Sequence, residues 1–181
     1  VALSYDGNSL AVGADGEDST NVGAGNIPDE MAFDSGAVYL YTRSGGIWRQ
    51  QPVYFKASNT GAADYFGRAV ALSGDGNTLA VGALREISSS TGIGSTPNES
   101  ARDSGAVYVY TRGNDWGQQP VYVKASNTGP GHRFGKAVAL SYIGNILGVG
   151  AYLENSNTTG VGSTPNIANA SATESGAVYL Y

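Results

Sequence analysis

The chain has 181 residues, 41% hydrophobic and 14% charged, with 27 Gly, 12 Tyr and no Cys. A formal charge of −5 with only ten Lys and Arg argues against a nucleic-acid groove, which needs a surplus of cations on one face. Without cysteine there are no disulfides, thiolate nucleophiles or Cys-ligated zinc, and no run approaches the ~18 apolar residues that span a bilayer.

The first predicted element is a hairpin. "VALSYDGNSLAVGA", Val1 to Ala14, holds two short apolar runs joined at Asp6-Gly7, a two-residue turn signal. Residues 15–34 follow as a 20-residue polar connection, longer than the ~12–15 residues that loops without structure of their own usually reach. "SGAVYLY" from Ser35 then alternates aliphatic residues with tyrosines, the period-2 pattern of a sheet with two different faces. Trp48, in "GGIWRQQP", precedes a fourth strand whose proline suits an outer edge.

The same order then returns twice. "FGRAVALSGDGNTLAVGA" (Phe66 to Ala83), "SGAVYVYTR" from Ser104, Trp116 and "QQPVYVKASNTG" make a complete second unit. "FGKAVALSYIGNILGVGA" (Phe134 to Ala151) and "SGAVYLY" from Ser175 make a third that stops at Tyr181. Val1, Val70 and Val138 are spaced by 69 and 68 residues, so each unit is one supersecondary repeat that buries its faces against its neighbours.

Four antiparallel strands per unit, small residues in the first and tyrosines in the third, describe a β-propeller blade: an all-β fold with almost no helix. The blades are residues 1–65, 66–133 and 134–181. That is about 2.7 blades, whereas propellers close with ~4–8, so this chain alone is not expected to close a ring. An outer strand resembling "QQPVYVKASNTG", from further repeats or from another copy, is expected to finish the last blade.

The repeat resembles the FG-GAP repeat, the integrin-α-type propeller repeat, in its bacterial secreted form. The resemblance is carried by Phe66-Gly67 and Phe134-Gly135, each followed by "VGA" at Val81 to Ala83 and Val149 to Ala151, and by "DGNTLAVGA" and "SGAVYVYTR". It implies blade-on-blade packing, an extracellular or cell-surface location, and a role in adhesion, surface structure or filament assembly.

It also raises calcium, because integrin-type repeats often carry an Asp-rich loop in the first hairpin. Here that loop offers Asp6 and Asp75 but Ile143 in the third copy. A calcium ion wants six to eight oxygens with several carboxylates, so one carboxylate per loop reads mainly as turn chemistry. Asp15, Glu17 and Asp18 cluster in the first long connection, and Asp15 and Asp18 are a second pair of metal candidates. By strand parity the long connections, 84–103 and 152–174 included, share one face with Lys56 and Lys124. Asp15, Glu17, Asp18, Asn98 and Asn166 on that face are the candidate contacts for a glycan or protein ligand, the lectin-like alternative. Asp34, Asp103 and Glu174, each just before Ser-Gly, are expected to receive backbone N–H groups. Trp48 and Trp116 are expected to anchor packing. His132 is the only histidine and lacks repeated partners, so no catalysis is expected.

Overall fold

A computed structural model describes residues 1–24, 29–49, 52–117, 119–163 and 171–181. Among these the regular elements are all strands: β1 (Ala2–Leu3), β2 (Ser9–Ala14), β3 (Gly23–Ala24), β4 (Ala37–Ser44), β5 (Ile47–Trp48), β6 (Val53–Lys56), β7 (Phe66–Leu72), β8 (Thr78–Ala83), β9 (Ala106–Thr111), β10 (Val121–Val123), β11 (Phe134–Leu140), β12 (Leu147–Ala151) and β13 (Ala177–Leu180). They form three antiparallel sheets, β1-β2-β4-β6-β3 with β5 beside β4, then β7-β8-β9-β10, then β11-β12-β13. The arrangement is that of partial propeller blades and is not closed into a barrel.

Each sheet begins with the hairpin read from sequence, Leu72 facing Leu79 and Leu140 facing Leu147 across the turns. Asp6 and Asp75 shape two of these turns. Ser73 Oγ and the Asn77 backbone N–H both donate to Asp75 Oδ1, and Asn77 Nδ2 donates to Oδ2 at 3.2 Å. Ser4 and Asn8 repeat the pattern on Asp6.

The fourth strand is less of an edge than its proline suggests. Part of the first and of the second long connection folds back along it: β3 pairs with β6, Gly23 facing Lys56, and Ile93 makes the equivalent bridge to Val123. Pro52 and Pro120 sit just before β6 and β10, where a missing N–H costs no ladder bond.

The core lies between sheets. One apolar cluster joins Val38, Leu40 and Phe55 of the first sheet to Phe66, Leu79, Val81 and Tyr108 of the second. The other joins Ala80, Val107 and Val123 of the second to Phe134, Val149 and Tyr179 of the third. Phe66 meets Tyr108 edge to face at 5.4 Å, and Phe134 meets Tyr179 likewise at 5.4 Å. The third-strand tyrosines also reach back one sheet: Tyr110 donates to Lys56 O at 2.6 Å and Tyr181 to Lys124 O at 2.7 Å.

The Phe-Gly pair opens each new sheet with a register shift, between Phe66 and Ala69 and between Phe134 and Ala137. Gly67 and Gly135 take φ of +91° and +86°, a region costly for any residue with a Cβ. The bulge lets Phe66 N–H bond Ser35 O, and Phe134 N–H bond Ser104 O, both at 2.9 Å. The incoming backbone therefore lies on the glycines of the preceding sheet. A Cβ on Gly13 would overlap Gly67 O, and one on Gly82 would overlap Gly135 O.

Candidate functional site

The long connections leave the second strands and are cinched at their bases in the same way three times. Gly36, Gly105 and Gly176 donate backbone N–H groups to Glu17, Glu86 and Glu154 carbonyls at 2.8, 2.9 and 2.9 Å. Ser35, Ser104 and Ser175 hydroxyls sit within hydrogen-bonding distance of those same carbonyls and of Ser19, Ser88 and Ser156 carbonyls.

Under each base lies a buried charge. Lys124 is fully buried and spends all three ammonium donors, on Glu86 Oε2 at 2.8 Å, Ser104 Oγ at 2.7 Å and Gly105 O at 2.7 Å. Glu86 also accepts from the Tyr122 hydroxyl at 2.8 Å and from Asn59 Nδ2 of the preceding unit at 3.1 Å. The first sheet repeats this with Lys56, Glu17 and Ser35. In the third, Glu154 accepts from Asn127 Nδ2 at 2.6 Å, and among the described residues no cation pairs with it. Burial pushes the Lys124 ammonium below its ordinary pKa, and Glu86 opposes that fall. Asp64 lies close by, and burial, reinforced by Glu86, pushes its carboxyl up to about 7.

A family comparison covers part of this frame. The FG-GAP repeat family model matches residues 48–110, from β5 through β9. The chain carries an FG-GAP repeat. No curated protein matches the chain. The matched FG-GAP repeat starts at the end of one sheet and finishes in the third strand of the next, so it spans the Phe-Gly step where the two meet.

Against this frame the candidate residues separate. Glu17 is the Lys56 partner, a structural carboxylate. Asp18 Oδ1 accepts the Asp34 N–H at 2.7 Å, and Asp15 pairs with Arg68 at 2.8 Å on the surface. The three clustered acids thus point to three different partners. Asn98 closes its own loop, its Oδ1 accepting from the Ser89 N–H at 3.0 Å and the Ser100 N–H at 3.1 Å. Asn166 lies outside the described residues. Asp6 and Asp75 direct their oxygens into the hairpin turns, whose hydrogen bonds hold both carboxyls below the usual range. No group of three or more His, Cys, Asp or Glu able to hold a metal ion occurs among the described residues.

Asp34 and Asp103 receive backbone N–H groups, and they do so at their main-chain carbonyls. Asp34, Asp103 and Glu174 all take positive φ, and the carbonyls of the first two accept from Tyr65 and Arg133 N–H at 3.1 Å each. The Asp34 carboxylate accepts from the Tyr65 hydroxyl instead. Trp116 is buried edge to face on Phe55 of the preceding sheet at 5.6 Å, a packing anchor. Trp48 is 38% exposed with Arg43 over its ring, since no sheet precedes its own in this structure. His132 is buried, and burial lowers its pKa against the pull of Glu154.

Because the turn aspartates bond within their turns, treatment with a chelator is expected to leave the melting temperature unchanged. A drop of several degrees, reversed by calcium, would show that a bound ion holds these loops.

Proposed function

We propose that this FG-GAP repeat chain is a non-catalytic, extracellular β-propeller segment whose working chemistry is the stacking of one repeat on the next, in adhesion, surface structure or filament assembly. Its partners are further repeats or other copies of the same protein. The observation that carries this reading is the glycine-on-glycine step between sheets. The third sheet presents the same station: a Cβ on Gly150 would meet only its own Ala137, and Val178 and Leu180 are 77% and 73% exposed. Their counterparts facing a following sheet, Val38 and Leu40, are buried. An apolar face flanked by unpaired strand groups recruits a strand or a sheet.

FG-GAP repeats are typically extracellular, and no helix among the described residues is long and apolar enough to cross a membrane. The lectin-like, calcium-assisted alternative rests on the acids of the loop face, and Asp15, Glu17 and Asp18 are each engaged within the chain, which favours stacking. Sedimentation of residues 1–181 across a concentration series tests the proposal. The expected result is reversible association; a strict monomer with one sharp melting transition at every concentration would sink it.

A further inference from the structure

Four of the ten cationic side chains of this acidic protein line one cavity. Arg68, Arg85, Arg133 and Lys136, with Tyr65 and Asp15, surround a space of about 220 Å³. It lies where β7 and β11 begin and where β2 and β8 have just ended, on the face from which the long connections leave. All three repeats contribute to it, so it exists only when the sheets are stacked.

The cations are held in place. Arg85 lies over the Tyr65 ring at 4.9 Å, and Arg133 and Lys136 approach the Tyr152 ring at 5.9 and 5.8 Å. Arg133 Nη1 also donates to the Tyr152 hydroxyl at 2.7 Å. Such contacts fix a guanidinium without neutralising it. Asp15 is the one carboxylate on the wall, and it pairs with Arg68 on the exposed side, where an ion pair contributes little. Four cations against one acid leave three positive charges, inside a chain whose total is −5. Arg133 Nε is buried with no hydrogen-bond partner, and a buried donor without an acceptor costs about 1–3 kcal/mol.

We infer that this cavity is an oxyanion site that takes a phosphate or sulfate group. Planar guanidinium forks match such oxygens, and more than one negative charge is needed to balance the wall. The volume is below the ~300–1,000 Å³ of drug-sized pockets, so the ligand is one anionic group or one substituted sugar rather than a larger molecule. The surrounding negative charge of the protein repels anions elsewhere and confines them to this point. The inference does not depend on adhesion or on association between chains.

Titration calorimetry of the full chain with inorganic phosphate and with sulfate at low ionic strength, using chloride as the control ion, tests it. One saturable site is expected, weakening as salt rises. Lys136→Gln, which alters an exposed side chain and leaves the packing alone, should weaken binding about tenfold, as should Arg85→Gln. Arg112→Gln removes the same charge from an exposed position outside the cavity and should change nothing. Dextran sulfate against unsulfated dextran of equal size separates the sources: tighter binding of the sulfated chain, lost in Lys136→Gln, identifies a polysaccharide-borne group, and binding of the inorganic ions alone identifies a free anion. Absence of saturable binding, or equal weakening by Arg112→Gln, would overturn the assignment.

Discussion

Lys124→Ala is expected to cost the fold about 3–5 kcal/mol, the usual consequence of removing one partner from a buried ion pair. Lys124 and Glu86 have side-chain exposures of 0% and 1%, so water cannot replace the lost ammonium. The substitution also deprives Ser104 Oγ and Gly105 O of a donor. Glu86 keeps the Tyr122, Asn59 and Ser88 donors, yet a carboxylate there holds a charge in a poorly solvated site with no cation. Lys56→Ala should cost less, because Glu17 is 11% exposed and can recover some hydration. Lys124→Met combined with Glu86→Gln should restore most of the loss, since replacing both charges removes the unpaired one. Denaturant midpoints at unchanged m-value measure all three. A Lys124→Ala loss below about 1 kcal/mol, or a double variant as unstable as the single, would show that the pair is incidental.

The four main strands of a unit, the first hairpins and the stacking of units are legible in the repeat, because period-2 alternation and Asp-Gly turns are local signals. The buried pair was not read, although a signal for it exists. Glu17, Glu86 and Glu154 stand three residues after Ala14, Ala83 and Ala151 in every copy, whereas Asp15 and Asp18 become Leu84 and Ile87 in the second. A charge locked to the period marks a structural role, and one that comes and goes marks a surface. Judged by clustering alone, the three acids of the first connection looked like one site. Their partners, Arg68, Lys56 and the Asp34 N–H, arrive from separate elements and divide them.

The fold-back of the long connections onto β6 and β10 was hidden for another reason. Gly23–Ala24 and Ile93 are too short to show any alternation, and they pair only because the fourth strand offers them an edge. The cationic cavity was equally invisible. Arg68 and Lys136 are equivalent in the repeat, but Arg85 and Arg133 reach the same wall from unrelated positions, through the stacking of three sheets.

Gly82→Ala is expected to separate the third sheet from the second, and Gly150→Ala, at the same letter of the same motif, to leave this chain folded. The Cβ added at Gly82 would overlap Gly135 O and lie 3.0 Å from Gly135 C. Neither atom can give way cheaply. Gly135 is part of the bulge, its φ is +86°, and the adjoining Phe134 N–H is bonded to Ser104 O. Relief requires β11 to move off β8 as a unit, breaking up the apolar cluster that Phe134 forms with Ala80, Val107 and Val123 of the second sheet and the Tyr181 hydroxyl bond to Lys124 O. The cost should therefore exceed the ~1–3 kcal/mol of ordinary overpacking, enough to expose the residues of the third sheet to rapid amide exchange while the first two retain protection. At Gly150 the nearest atom to the added Cβ is Ala137 Cβ at 3.5 Å, an ordinary contact. That variant should unfold within roughly 1 kcal/mol of the parent. If another repeat stacks on the third sheet as the first two stack here, Gly150→Ala should instead abolish association. Amide exchange and sedimentation read the two effects independently. Equal destabilisation by both substitutions would show that the close approach of backbones at Gly82 does not hold the sheets together.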